Sequence, residues 1–129
     1  MTDLADCYLQ YFSSEGFEIL VGKSASDNDT LTFKVGNQND FWLHAAATSG
    51  SHVIVRNPDN LERLPKKTLR QAGALAAYHS KNKAGGKVAV SYTQRRFVQK
   101  SRGAPAGQVN LKKHQTIQVS PKERPADPA

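Results

Sequence analysis

One cysteine, one tryptophan and no long apolar run set the first limits on this chain of 129 residues. With Cys7 alone, an internal disulfide and a cysteine-rich zinc site are both excluded, and a reducing compartment is expected. No apolar stretch approaches the roughly 20 residues that carry a helix across a bilayer. The opening has Asp3 and Asp6 where a secretory leader has basic and apolar regions, so a cytoplasmic protein without membrane contact is expected. Its length suits a single domain with a modest core. Acidic residues are scarce in one half only. Residues 1–60 hold 3 Lys/Arg against 8 Asp/Glu, a net of −5, and residues 61–129 hold 15 against 3, a net of +12, together +7. A basic half on an otherwise acidic domain more often marks a polyanion site than a solubility device. The basic residues fall mainly on strands and loops rather than along one amphipathic helix, which favours nucleic acid over a membrane surface.

What the chain does have is local periodicity. Residues 4–14 read as a short helix or lead-in, and Phe17–Val21 as a strand ending at Gly22. A polar loop follows, in which Asp27 or Asn28 is suited to cap a short helix over Asp29–Val35. Pro65–Ala84 is the clearest helix, with Pro65 in its first turn, Gly85-Gly86 as its stop, and Lys81, Lys83 and Lys87 placed to complement its dipole. Leu69, Ala72, Gly73, Ala76 and Ser80 make a stripe of mostly small residues at helical spacing, suited to close packing on a sheet. Val88–Tyr92 alternates as a strand, and Val109–Leu111 with Thr116–Val119 suggests a hairpin around Lys112-Lys113-His114. The expected fold is a two-layer α+β domain over residues 1–119, a mostly antiparallel sheet with one long helix on one face and shorter helices. From Ser120 the composition is that of a disordered tail.

The chemistry concentrates between Asp40 and Arg56. On a strand over 40–45, Asp40, Trp42 and His44 share one face, and Phe41, Leu43 and Ala45 the other. A turn through Thr48-Ser49-Gly50-Ser51 leads to a second run in which Val53 and Val55 oppose His52 and Arg56. The two runs suggest an antiparallel hairpin. If the long helix covers the Phe41/Leu43/Val53/Val55 face, the Trp42 face stays open. On that reading Trp42 and Tyr92 stack on unpaired bases while Arg56, Arg95, Arg96, Lys100 and Arg102 contact phosphate. The competing reading is that the tryptophan belongs to the core and the alternate polar residues only face water.

Two enzymatic alternatives use the same residues. His44 and His52 across a hairpin are suited to paired acid and base work on RNA, or to metal ligation with Asp40. No further carboxylate or nucleophile is fixed nearby, so no catalytic activity, cofactor or metal is expected. Gly22-Lys23-Ser24 resembles a fragment of a phosphate-binding loop but lacks the upstream glycine at the required spacing.

Gly16–Leu31 (GFEILVGKSASDNDTL), followed by DFWLH and GSHVIVR, resembles the NFACT-R domain, the RNA-binding module of the NFACT family of ribosome quality-control factors. The resemblance continues through Leu69–Ser80, Val88–Lys100 and Gly103–Val109, in unbroken order from about Phe12 to Val119. One departure is Lys23, where the family commonly has Arg, so charge is kept but fork geometry is lost. The resemblance implies binding to tRNA or large-subunit ribosomal RNA, with the ribosome as a further partner. Lys23, Asp40 and Ser51 join the stacking, histidine and phosphate residues named above in the expected RNA-binding set. Tailing of stalled nascent chains requires further family domains that 129 residues cannot hold. A ribosome-bound protein adaptor is the alternative from another class.

Overall fold

The computed structural model describes residues 4–84 and 86–128. Its centre is a six-stranded antiparallel sheet built from β1 (Tyr8–Phe12), β2 (Glu18–Gly22), β3 (Phe41–Ala45), β4 (Val53–Val55), β5 (Val88–Gln94) and β8 (Gln115–Val119), in the order β1-β2-β4-β3-β5-β8. A separate two-stranded ribbon pairs β6 (Val98–Gln99) with β7 (Asn110–Leu111). The helices are α1 (Ala25–Thr30), which continues into a π-helical turn over Leu31–Val35, and α2 (Lys66–Tyr78).

The Trp hairpin forms as its alternation requires, with Phe41 opposite Val55, Trp42 opposite Ile54 and Leu43 opposite Val53. Phe41, Leu43, Ala45, Val53 and Val55 then share one face, where they pack with Leu75, Ala76 and Ala77 of α2. Each of these β-branched or long apolar side chains contributes about 1.5–3 kcal/mol when fully buried, so this face is the main core. The small-residue stripe lets α2 lie close. A Cβ on Gly73 would stand 3.0 Å from Ile117 Cδ1 and 3.4 Å from Val119 Cγ1.

α2 has 13 residues and is shorter than the predicted long helix over Pro65–Ala84. Pro65 stands just before the first turn, where the Glu15 carboxylate accepts from Thr68 N at 3.0 Å. The helix ends at Tyr78 because the next residues are drawn into strand-like pairing: Ser80 bridges Gly50, and Ser51 N donates to the His79 carbonyl at 3.2 Å. Of the predicted Gly85-Gly86 stop, Gly85 lies outside the described residues. At the other helix, Ser24 rather than Asp27 or Asn28 is the cap. Its Oγ accepts from Asp27 N at 3.1 Å, so α1 starts four residues earlier than the helix expected from Asp29.

Three further expectations are corrected. Of the short helix or lead-in read over residues 4–14, Leu4–Cys7 is a 3₁₀ turn and Tyr8–Phe12 is the edge strand β1. The segments around Val109–Leu111 and Thr116–Val119 do not pair with each other. β7 pairs with β6 and β8 with β5, so the basic Lys112-Lys113-His114 turn crosses between sheets. The fold is not two-layered, because the second face of the sheet is also covered. Leu20, Trp42 and Ile54 pack under Leu31 from the α1 segment and Val98 from the ribbon, with Phe33, Val35, Val109 and Leu111 around them.

The chain after Ser120, expected to be disordered, makes a capped turn against α2. Ser120 and Glu123 form a reciprocal capping box, Arg70 Nε holds Glu123 Oε1 at 2.9 Å, and the Arg124 guanidinium lies 3.9 Å from the Tyr78 ring centre. Among the described residues no helix is long and apolar enough to cross a membrane.

Candidate functional site

The covered second face changes the role of most residues singled out in the Asp40–Arg56 stretch. Asp40 is buried and fully engaged. One carboxylate oxygen accepts from Arg56 Nη1 at 2.9 Å and Asn37 N at 2.8 Å, the other from Asn57 N at 2.9 Å. Arg56 Nη1 also reaches the Val35 carbonyl at 2.9 Å. This pair ties the turns that enter and leave the hairpin to the π-helical turn, and the Asp40 carboxylate is occupied by these donors. Burial explains the arrangement: a carboxylate this enclosed must be saturated with donors.

Trp42 is 2 % exposed, so it is no stacking platform. Its ring stacks on His44, with centroids 5.9 Å apart and planes at 16°, and meets His52 edge-to-face at 5.1 Å. Tyr92 does not join it. Tyr92 pairs with Leu43 across β3–β5 and packs into the α2-side core, on the opposite face of the sheet.

His52 is held by both ring nitrogens. Nε2 lies 2.9 Å from the Gly107 carbonyl, which only accepts, so Nε2 carries the proton. Nδ1 is then the acceptor for the Thr32 hydroxyl at 2.8 Å. Desolvation, with the neighbouring His44, pushes the imidazole down to about 4, which keeps it neutral. His52 therefore fastens the Gly107 loop to the sheet. His44 differs. It is half-buried, its pKa is lowered by desolvation against backbone hydrogen bonds to Gly50 and Ala45, and one side of it reaches a cavity.

That cavity, about 530 Å³, is the site's main feature. Lys23 and Ser24 at the start of α1 form one wall, the Thr48–Ser51 loop another, and Ala106-Gly107-Gln108 a third, with His44 and Asn28 between them. Among the described residues no carboxylate lines it. The Lys23 side chain is exposed and has no ion pair or hydrogen bond among the described residues. Ser51 Oγ donates to the Gly22 carbonyl at 2.7 Å and so holds the rim.

The walls are braced from behind. Asn28 Oδ1 accepts from His52 N at 3.0 Å while its amide donates to the Gly50 carbonyl at 3.2 Å. Gly22 makes room for this, since a Cβ there would stand 2.0 Å from Asn28 Oδ1. Asp29 accepts from Gly107 N at 3.1 Å and pairs with Lys100 Nζ at 3.0 Å. Lys100 also donates to the carbonyls of Pro105 and Gln108. Gly107, at φ +82°, occupies the left-handed region the turn requires.

The other predicted phosphate contacts are dispersed. Lys100 is consumed in the loop brace. Arg95 donates to the Thr32 carbonyl and lies 4.5 Å from the Phe33 ring centre, its pKa lowered by desolvation. Arg96 and Arg102 are exposed but do not line the cavity. Of the expected set, Lys23, His44 and Ser51 come together, with His52 behind them. Asn28, Asp29, Thr32 and Gln108 were not singled out as functional from sequence. An asparagine inside a helix, where it is intrinsically disfavoured, was the one available signal.

The fold and site together define a small α+β domain with a braced cavity beside an exposed lysine, lined by no carboxylate among the described residues. The family described as NFACT protein RNA binding domain matches residues 7–113, and the chain belongs to that family. It is 40% identical over 111 residues to the Rqc2 homolog RqcH of Bacillus subtilis, covering 86% of this chain and 19% of that protein. It is 34% identical over 99 residues to the ribosome quality control complex subunit 2 of Schizosaccharomyces pombe, covering 77% of this chain and 10% of that protein. The C-terminal structure of the fibronectin/fibrinogen-binding protein from Streptococcus suis superposes with a TM-score of 0.82 at 31% identity, over 88% of this chain and 45% of that one. The chain thus spans about a fifth of the bacterial relative.

Proposed function

We propose that this domain binds unpaired RNA, such as a loop of tRNA or of large-subunit ribosomal RNA, in ribosome-associated quality control in the cytoplasm. The contact is the cavity between Lys23, His44 and the Gly50 and Gly107 loops, and no reaction is catalysed there. The family assignment supports the ligand class. The observation that carries the location is a braced cavity with an exposed ammonium, a half-buried imidazole and several hydroxyl and amide groups, and no carboxylate among the described residues. Such a lining suits one phosphate with an adjoining sugar or base, read through backbone and edge contacts. His52, with both nitrogens occupied, cannot serve as the second member of an acid–base pair, which supports binding over cleavage.

The test is affinity for a fluorescein-labelled unstructured RNA. Lys23→Ala should weaken it about tenfold, the worth of one charge-assisted hydrogen bond. His44→Ala should weaken it too, with the fold intact by circular dichroism. Full affinity in both variants would place the RNA elsewhere.

A further inference from the structure

We propose that the RNA strand leaving this cavity crosses Ser49–Gly50 and sets its next phosphates in a second cavity, against Lys81 and Lys83. The inference rests on the RNA-binding reading above and extends it to a site outside the expected RNA-binding set. The second cavity, about 390 Å³, is formed by Tyr78, His79, Ser80, Lys81 and Lys83, and it shares Ser49 and Gly50 with the first. The two are therefore neighbours across one ridge of backbone.

That ridge is fixed. Ser51 N donates to the His79 carbonyl at 3.2 Å, Lys81 N donates to the Ser49 carbonyl at 3.1 Å, and Gly50 bridges Ser80 between them. A Cβ on Gly50 would stand 3.1 Å from the His79 carbonyl oxygen and from Ser80 Cα, a tight contact that glycine avoids. Two concave sites held at a constant spacing suit a flexible polymer with repeating charge, because the protein gives up little order when it binds.

The second cavity has the matching charge. Among the described residues no carboxylate lines it. The Lys81 ammonium has no ion pair or hydrogen bond among the described residues, and Lys83 approaches the Tyr78 ring, at 5.5 Å, and the His79 imidazole. Neither lysine is needed to close α2. The Leu75 carbonyl accepts from His79 N at 3.0 Å, the Ala77 carbonyl accepts from Ser80 N at 3.2 Å and Oγ at 2.7 Å, and the His79 carbonyl is taken by Ser51. Arg124 lies against Tyr78 from the C-terminal segment, and Asp127, which interacts with Tyr11 and His79, is the acid on that side. The local balance stays positive.

The experiment compares random-sequence RNA trimers, followed by NMR titration, with decamers followed by fluorescence anisotropy. A trimer can fill the first cavity without reaching the second. Lys81→Ala/Lys83→Ala should leave trimer binding unchanged. It should weaken decamer binding about tenfold or more and flatten the logarithmic salt slope by about 0.7 for each lost contact. Lys23→Ala should weaken both RNAs. Decamer affinity and slope unchanged in the double variant, with Lys23→Ala still impaired, would overturn the crossing and leave the first cavity standing. Lys23→Ala without effect on either RNA would overturn both. Competition by a glutamate decapeptide equal to that of the RNA decamer would make the second cavity an acidic-peptide site and overturn the RNA assignment.

Discussion

Trp42 lies between two imidazoles and beneath Leu31 and Val98, in a layer that the alternation of β3 does not reveal. The alternation correctly separates Phe41, Leu43 and Ala45 from Trp42 and His44. It says nothing about which segments lie over either face, because the cover comes from other elements, Leu31 before the hairpin and α2 and Val98 well after it. Trp42→Ala should therefore cost about 3–5 kcal/mol of stability, the usual loss for truncating a buried large aromatic. Urea denaturation checks this, and a change below about 1 kcal/mol would return Trp42 to the surface. His52 makes the complementary case. Its pKa near 4 lies below the ordinary 6.5, so the unfolded chain binds more protons between those values. Stability is full above about pH 6.5 and falls as pH drops toward 4, by about 3 kcal/mol from this group. Imidazole NMR should show His52 untitrated at pH 5.5. His44, lowered in the free domain, should rise when RNA phosphate is added, so affinity should increase as pH falls.

At the scale of elements, what holds the site is a set of crossings between segments. Asn28 joins α1 to the start of β4, Asp29 and Lys100 join α1 to the Gly103–Gln108 loop, and Ser80 joins the end of α2 to Gly50. Strands β2 to β5 were legible as short apolar runs, with alternation clearest in β5, whereas β1 was read as a helix or lead-in. Helix ends were less so. The predicted extension of α2 to Ala84 fails because backbone pairing with the 49–51 loop competes for Ser80 and Lys81, a tertiary effect that propensity does not contain. Likewise β7 left the expected hairpin for β6, since register between short strands is set by the layer they cover, here Trp42 and Leu20. Gly22→Ala tests the brace. Its Cβ would displace the Asn28 amide and break two hydrogen bonds, at a cost of about 1–3 kcal/mol. Amide exchange at His52, whose N–H donates to Asn28 Oδ1, should speed up. Unchanged exchange there would mean that Asn28 does not set the loop.

Over the whole molecule, the +12 charge of residues 61–129 is less free than its count suggests. Arg70 is paired with Glu123, Lys100 with Asp29, and Arg95 is folded over Phe33. The basic half was readable as a polyanion signal, but the sequence does not separate cations that brace the fold from those that face outward. The unpaired ones nearest the two cavities are Lys23 and Lys81, on opposite sides of the Thr48–Ser51 loop. The most direct test of the central claim is a titration of isotope-labelled domain with unstructured RNA, followed by backbone amide shifts. The account predicts the largest shifts at Lys23, Asn28, His44, Ser49, Gly50 and Gln108, and small ones at Tyr92. Shifts centred on Phe97 and Lys112–His114, with the cavity residues unmoved, would contradict it.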